Sequence, residues 1–169
     1  MDLEGRSSFG NLSSAPDGSI IEHIFDYVTS ILYDFYAEPD ENENAITNKL
    51  CIILNQNLES ENPYFFHHQN IEDDRSGTST DFAVYPKSCS NYSNVALIKF
   101  EAKRLTSSIA GKREREYVIG QYENKKLIKN SGGIERFKNE THGKNVKNAG
   151  MIGYVQTNSF DYWINKTNE

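Results

Sequence analysis

The run Asn94-Val95-Ala96-Leu97-Ile98-Lys99-Phe100-Glu101-Ala102-Lys103-Arg104-Leu105 constrains this chain more than any other stretch. It begins apolar and β-prone and ends with a carboxylate and an ammonium on either side of one alanine. Side chains of a strand alternate between its faces. Val95, Leu97, Lys99, Glu101 and Lys103 therefore share one face, and Ala96, Ile98, Phe100 and Ala102 share the other. Charges delivered to the end of a core strand are costly unless they are paired or used.

The preceding segment gives those charges a neighbour. Thr80-Asp81-Phe82-Ala83-Val84-Tyr85 reads as a strand halted by Pro86, which cannot donate to a ladder. Residues 86–94 read as a loop between antiparallel strands. A hairpin symmetric about residue 91 puts Tyr85 opposite Leu97 and Asp81 opposite Glu101. Directly opposed Cβ atoms lie ~5 Å apart. Two carboxylates that close repel each other unless a cation lies between them.

The rest of the chain supplies packing elements. Residues 1–18, rich in Gly, Ser and Asn, are expected to form a flexible arm, and 19–169 a single domain. Ser19-Ile20-Ile21-Glu22 has capping-box spacing, and Ile20, Ile21, Ile24, Phe25, Val28, Ile31, Leu32 and Phe35 predict a helix ended by Pro39. A second helix is predicted from near Asp40 to about Ser60, with Ile46, Leu50, Ile53, Leu54 and Leu58 as its stripe. Glu43 near its start has two readings. It is the capping partner of Asp40, which spacing alone favours, or it reaches from the helix N-terminus towards a site on the sheet.

Tyr64 to Gln69 reads as a strand, in which His67 and His68 face opposite sides and cannot jointly hold one metal. A helix is predicted over roughly Arg113–Lys129, with Tyr117, Val118, Gln121, Tyr122 and Ile128 turned inward. Ala149 to Gln156 is a last buried strand whose glycines suit close backbone approach, and Ser159 caps a closing helix carrying Phe160, Trp163 and Ile164. The form of Gly132-Gly133-Ile134-Glu135-Arg136-Phe137 is not fixed by any of these patterns.

Bulk properties narrow the class. No run approaches the ~20 apolar residues that span a bilayer, so no membrane partner is expected. No secretion signal is read at the N-terminus, and Cys51 and Cys89 make neither a disulfide framework nor a metal-ligand spacing, so a reduced, cytoplasmic location is expected. The net charge of −6 is unevenly spread. Residues 1–98 carry 4 basic and 16 acidic side chains, whereas residues 99–147 carry 13 basic and 6 acidic. The second stretch suits a polyanion; two solvated surfaces of opposite sign would give the same count.

Glu43, Asp81, Glu101 and Lys103, on helix, strand, strand and strand, resemble the PD-(D/E)xK nuclease superfamily. Thr80-Asp81 precedes Glu101-Ala102-Lys103 by the right order of elements, and Glu43-Asn44-Ala45-Ile46 opens the upstream helix. Thr80 stands where the motif most often has proline. The resemblance covers residues 40–156 and implies a restriction-endonuclease-like α/β core (α-β-β-β-α-β), here with an extra N-terminal and a C-terminal helix. It implies hydrolysis of phosphodiester bonds in DNA, with RNA as the alternative substrate, and a microbial defence or restriction setting. It further implies Mg²⁺, with Mn²⁺ as the alternative, held by Asp81, Glu101, the Ala102 carbonyl and Glu43, because hard divalent ions take oxygen ligands. Lys103 would orient the attacking water or stabilise the charged phosphorane-like transition state.

Under the same resemblance Arg104, Arg113, Gln121, Lys125, Lys126 and Arg136 are candidate nucleic-acid contacts, and a homodimer or larger complex is an allowed assembly. Two other readings stand beside it. One is a non-catalytic relative that binds nucleic acid or a partner protein. The other is an accidental ExK, whose Glu101–Lys103 surface pair would be worth under ~1 kcal/mol.

Overall fold

The first apolar stripe forms helix α1 (Gly18–Tyr33) and buries Ile21, Ile24 and Val28. The computed structural model describes residues 18–73, 78–87, 95–106, 121–123, 126–129, 133–138 and 146–168. The arm predicted over 1–18 lies outside them, apart from Gly18.

Helix α1 stops at Tyr33, well before Pro39. Just past its end Phe35 N–H donates to Leu32 O at 3.3 Å, and the carbonyls that follow find partners elsewhere in the chain. Tyr36 O accepts from Lys49 Nζ, Glu38 O from Gln156 Nε2, and Glu41 O from both Gln156 Nε2 and Arg104. Tertiary donors thus satisfy these carbonyls outside a helix. Phe35 and Ala37 still pack against the core from the extended segment.

Helix α2 (Glu43–Asn57) is capped by Asn42, whose Oδ1 accepts the Ala45 N–H at 2.9 Å, and not by Asp40. That shift decides the fate of Glu43. With Asn42 as the cap, the reciprocal capping position falls on Ala45, and Glu43 becomes the first helical residue, its carboxylate not taken up by the cap. Ile46, Thr47, Leu50, Cys51 and Leu54 are buried. The Asn55 side-chain amide donates to Phe66 O and accepts from Phe66 N, binding the helix to the first strand as another strand would.

Strands β1 (Tyr64–Asp73), β2 (Thr78–Pro86) and β3 (Ile98–Leu105) form an antiparallel meander. The pairs Phe82–Phe100, Ala83–Lys99 and Val84–Ile98 give the register predicted from a hairpin centred on residue 91. The chain then crosses over and returns parallel to β3, completing a mixed four-stranded sheet.

The crossover corrects one expectation. Where a helix was predicted up to Lys129, β4 (Gln121–Glu123) and β5 (Lys126–Lys129) pair antiparallel, and Gln121 and Lys126 lie on strands. Glu123 and Lys126, three residues apart and equally suited to one helix face, occupy opposed hairpin positions. So few apolar residues make a weak helical stripe, and Tyr122 and Ile128 are β-prone. Residues 113–120, with Arg113, Tyr117 and Val118, lie outside the described residues, as does Lys125. The Gly133 segment instead supplies a short helix, α3 (Gly133–Lys138).

Strand β6 (Ala149–Val155) closes the sheet in the order β1-β2-β3-β6. Its Gly150 pairs with Phe100, and a Cβ there would run into the Phe100 ring. The missing side chain lets Phe100 stack on Phe82 with centroids 4.5 Å apart. Ser159 caps α4 (Phe160–Asn168) through Tyr162 N–H, as predicted; of its apolar residues Trp163 is buried, while Phe160 and Ile164 are exposed. The described residues thus hold a mixed α/β arrangement of a four-stranded sheet, a small hairpin and four helices. None of those helices is long and apolar enough to cross a membrane.

The two faces of the sheet differ. Phe82, Val84, Ile98, Phe100, Ala102, Ile152 and Tyr154 join α1 and α2 in one core. Asp81, Lys99, Glu101 and Lys103 alternate with them and belong to the other face.

Candidate active site

Three elements bring acids to one ammonium. Lys103 Nζ lies 3.0 Å from Glu43 Oε1, 3.0 Å from Glu101 Oε1 and 3.9 Å from Asp81 Oδ2. It also donates to Ala102 O at 2.8 Å. The four residues predicted as a unit, Glu43, Asp81, Glu101 and Lys103, therefore meet, together with the Ala102 carbonyl.

Each acid is placed by backbone geometry. Glu43 spans the gap from α2, accepting the Arg104 N–H at 3.0 Å through Oε2 while Oε1 takes Lys103. This decides between its two readings: Glu43 reaches the sheet and does not close on Asp40. Behind it, Thr47 Oγ1 donates to Glu43 O and leaves Tyr154 OH to donate to Thr47, which pins the first turn of α2 to β6. Both hydroxyls are buried, and burial raises the Tyr154 phenol further above its ordinary range.

Asp81 is held by β3 itself, since its Oδ2 accepts the Ala102 N–H at 2.6 Å. Burial, then the neighbouring Glu101, push the Asp81 carboxyl up to about 6, against the opposing pull of Lys103 and of the Ala102 amide. The Glu101 side chain is only 2% exposed. A carboxylate buried that far requires partners. Among the described residues Glu101 has two: Lys103 and, at 3.2 Å, the Arg136 guanidinium of α3. Burial pulls the Lys103 ammonium down, but Glu101, Glu43 and Asp81 outweigh it and hold it above the ordinary lysine range.

The remaining candidates divide. Arg136, expected as a phosphate contact, is tied to Glu101. The Arg104 guanidinium donates to Glu41 O, in the loop leading into α2. Gln121 and Lys126 sit in the β4–β5 hairpin, and Arg113 and Lys125 fall outside the described residues.

One contributor left no mark in the sequence. Between the pairs His68–Phe82 and Asn70–Thr80, Gln69 adopts φ 52°, a left-handed conformation that a non-glycine residue rarely takes. Gln69 is level with Asp81, and its amide donates to Asn44 Oδ1, beside Glu43. The local strain turns a side chain of the outer strand towards α2 and ties β1 to the turn that carries Glu43.

The donor set suits a hard divalent cation, because three carboxylates and a carbonyl oxygen converge on one positive centre. In this conformation the centre is the Lys103 ammonium, and among the described residues no three acids, histidines or cysteines are drawn tightly enough to hold an ion as they stand. Chemically, the arrangement offers a carboxylate with a raised proton affinity, a buried carboxylate shared by two cations, and an ammonium on a flexible stem. No family model matches the chain, and no curated protein or solved structure matches it either.

Proposed function

We propose that the chain is a metal-dependent nuclease hydrolysing phosphodiester bonds in DNA, on a restriction-endonuclease-like core. The observation that carries the reading is the convergence of Glu43, Asp81, Glu101 and Ala102 O on Lys103 Nζ. The element order α2-β1-β2-β3-α3-β6 supports it, although the β4–β5 hairpin and a helix of six residues stand in the crossover. The DNA substrate, with RNA as the alternative, the defence setting and any homodimer or larger complex rest on the motif resemblance.

Asp81, Glu101, Ala102 O and Glu43 would hold the cation, Mg²⁺ in the first instance and Mn²⁺ as the alternative. A divalent ion bound there supplies positive charge to the phosphate and a water of lowered pKa. Lys103 donates hydrogen bonds to phosphate oxygens where negative charge grows in the transition state. Before the cation binds, Glu43 holds that lysine, and it fixes the β3 backbone through the Arg104 amide. Arg136 offsets part of the Glu101 charge, so that the buried acid is tolerated before substrate arrives.

Incubating plasmid, single-stranded and duplex oligonucleotides, and RNA with Mg²⁺, Mn²⁺ or EDTA tests the proposal. Metal-dependent cleavage that disappears in Glu101→Gln and Asp81→Asn is expected. A second reading has its own support: Lys103 and Arg136 already balance most of the acidic charge, as a structural ion-pair network would. Binding of nucleic acid without cleavage on any substrate would favour that reading, a non-catalytic binding subunit.

A further inference from the structure

Three N–H donors of an ammonium can be satisfied by three oxygens. Lys103 Nζ has them at 2.8 Å (Ala102 O), 3.0 Å (Glu43 Oε1) and 3.0 Å (Glu101 Oε1), with Asp81 Oδ2 at 3.9 Å. These are the same oxygens that the reading above assigns to a divalent ion. Such an ion binds oxygen at ~2.0–2.6 Å, so ion and ammonium cannot occupy that space together. The charges point the same way. Among the described residues of the cluster, Glu43, Asp81 and Glu101 carry three negative charges against the two of Lys103 and Arg136. With Lys103 displaced, a divalent ion and Arg136 balance the three acids.

We propose that Lys103 occupies the cation's place in the resting protein, so that divalent-ion binding competes with its ammonium and is completed when a nucleic-acid phosphate draws that ammonium away. This rests on the nuclease reading. The four-carbon stem of lysine allows the movement without displacing β3, whose backbone stays fixed to Glu43 through Arg104 N–H. Because the phosphate offers Lys103 an alternative anion, ion and nucleic acid bind with positive coupling, and each strengthens the other by the same factor. Arg136 serves as the internal control: it meets the cluster at Glu101 Oε1 from α3, whereas Lys103 also meets Glu43 Oε1 and Ala102 O.

The test is titration calorimetry of Mn²⁺ into the full chain as wild type, Lys103→Gln, Lys103→Met, Arg136→Gln and Glu101→Gln, with circular dichroism to confirm folding. The wild type is also titrated with a slowly cleaved phosphorothioate DNA present, after subtraction of DNA alone. Both Lys103 variants are expected to bind Mn²⁺ about tenfold or more tighter than wild type, since they lose a like charge within a few ångströms of the ion. Arg136→Gln should gain less, and DNA should tighten Mn²⁺ binding to the wild type but not to Lys103→Gln. The wild-type comparison needs no substitution, so it decides the matter even if a Lys103 variant fails to fold. Equal or weaker binding by the Lys103 variants, an equal gain in Arg136→Gln, or no effect of DNA on the wild type would overturn the proposal. If Mn²⁺ still binds the wild type and is lost in Glu101→Gln, such a result leaves the nuclease reading intact. No Mn²⁺ binding by any variant removes both.

Discussion

Asp81 Oδ2 accepts the Ala102 N–H at 2.6 Å, two residues beyond the last β2–β3 ladder pair, Phe82–Phe100. A side chain thus takes over where the strand-to-strand ladder stops. The bond points the Asp81 carboxylate at the Glu101-Ala102-Lys103 segment, near enough to Glu101 for the two charges to act on each other. Its cost is the partial burial that raises the Asp81 carboxyl to about 6.

That raised value predicts a pH dependence. The ordinary aspartate value is 3.8 and the folded value about 6, so the folded chain holds the proton more tightly than the unfolded chain. The stability this group contributes is fully present below pH 3.8 and is lost as pH rises through about 6. The loss is on the order of 1–3 kcal/mol. Asp81→Asn keeps an oxygen for the Ala102 N–H and has no charge to lose. In EDTA it should therefore be more stable than wild type at pH 7 and closer to it at pH 4, as urea unfolding at the two pH values would show. A gap that does not change with pH would rule out Asp81 as its source.

Glu43 joins α2 to β3 by two hydrogen bonds, to Lys103 Nζ and to Arg104 N–H. Glu43→Gln keeps an acceptor for one of them and removes the charge. It should lower cleavage about tenfold or more while shifting the melting temperature little. Glu43→Ala loses both bonds and should cost a further ~1–2 kcal/mol of stability. Equal melting temperatures for the two variants would contradict this account.

Lys103→Ala and Lys126→Ala should fail in different ways. Loss of the site ammonium should lower kcat by about 10²-fold or more, because its main effect falls on the transition state, and should weaken nucleic-acid binding by no more than the one phosphate contact it makes. Lys126→Ala, in the β4–β5 hairpin, should weaken binding across all sequences and reduce the salt slope by about one. Wild-type cleavage by Lys103→Ala under saturating Mg²⁺ would make the motif decorative.

Gly150→Ala tests the packing that sets the sheet. Its Cβ would enter the space of the Phe100 ring, which is stacked on Phe82 within the core. Overpacking of this kind costs about 1–3 kcal/mol. Because Phe100 immediately precedes Glu101 on β3, cleavage should fall along with thermal stability. An unchanged melting temperature would show that the ring moves aside freely.

Sequence alone determined the parts that local rules govern. Strand alternation assigned Glu101 and Lys103 to one face, and hairpin symmetry about residue 91 gave the pairing that the Phe82–Phe100 register now displays. Ser159 as a cap and Gly150 as a point of close approach follow from short-range chemistry in the same way. What only the tertiary structure decided involves partners distant in the chain. α1 ends at Tyr33 and not at Pro39, and the carbonyls of the segment that follows are bound by Arg104 and Gln156, donors from the far part of the chain. The cap passes to Asn42 and frees Glu43 to cross to β3, a choice that depends on 61 residues of separation between Glu43 and Arg104. The segment before Lys129 forms a hairpin because its few apolar residues leave helix and strand closely matched, and context settles such a balance. Arg136 reaches Glu101 across a further 35 residues, and no periodicity encodes that contact: a buried carboxylate takes whichever cation the folded chain brings to it.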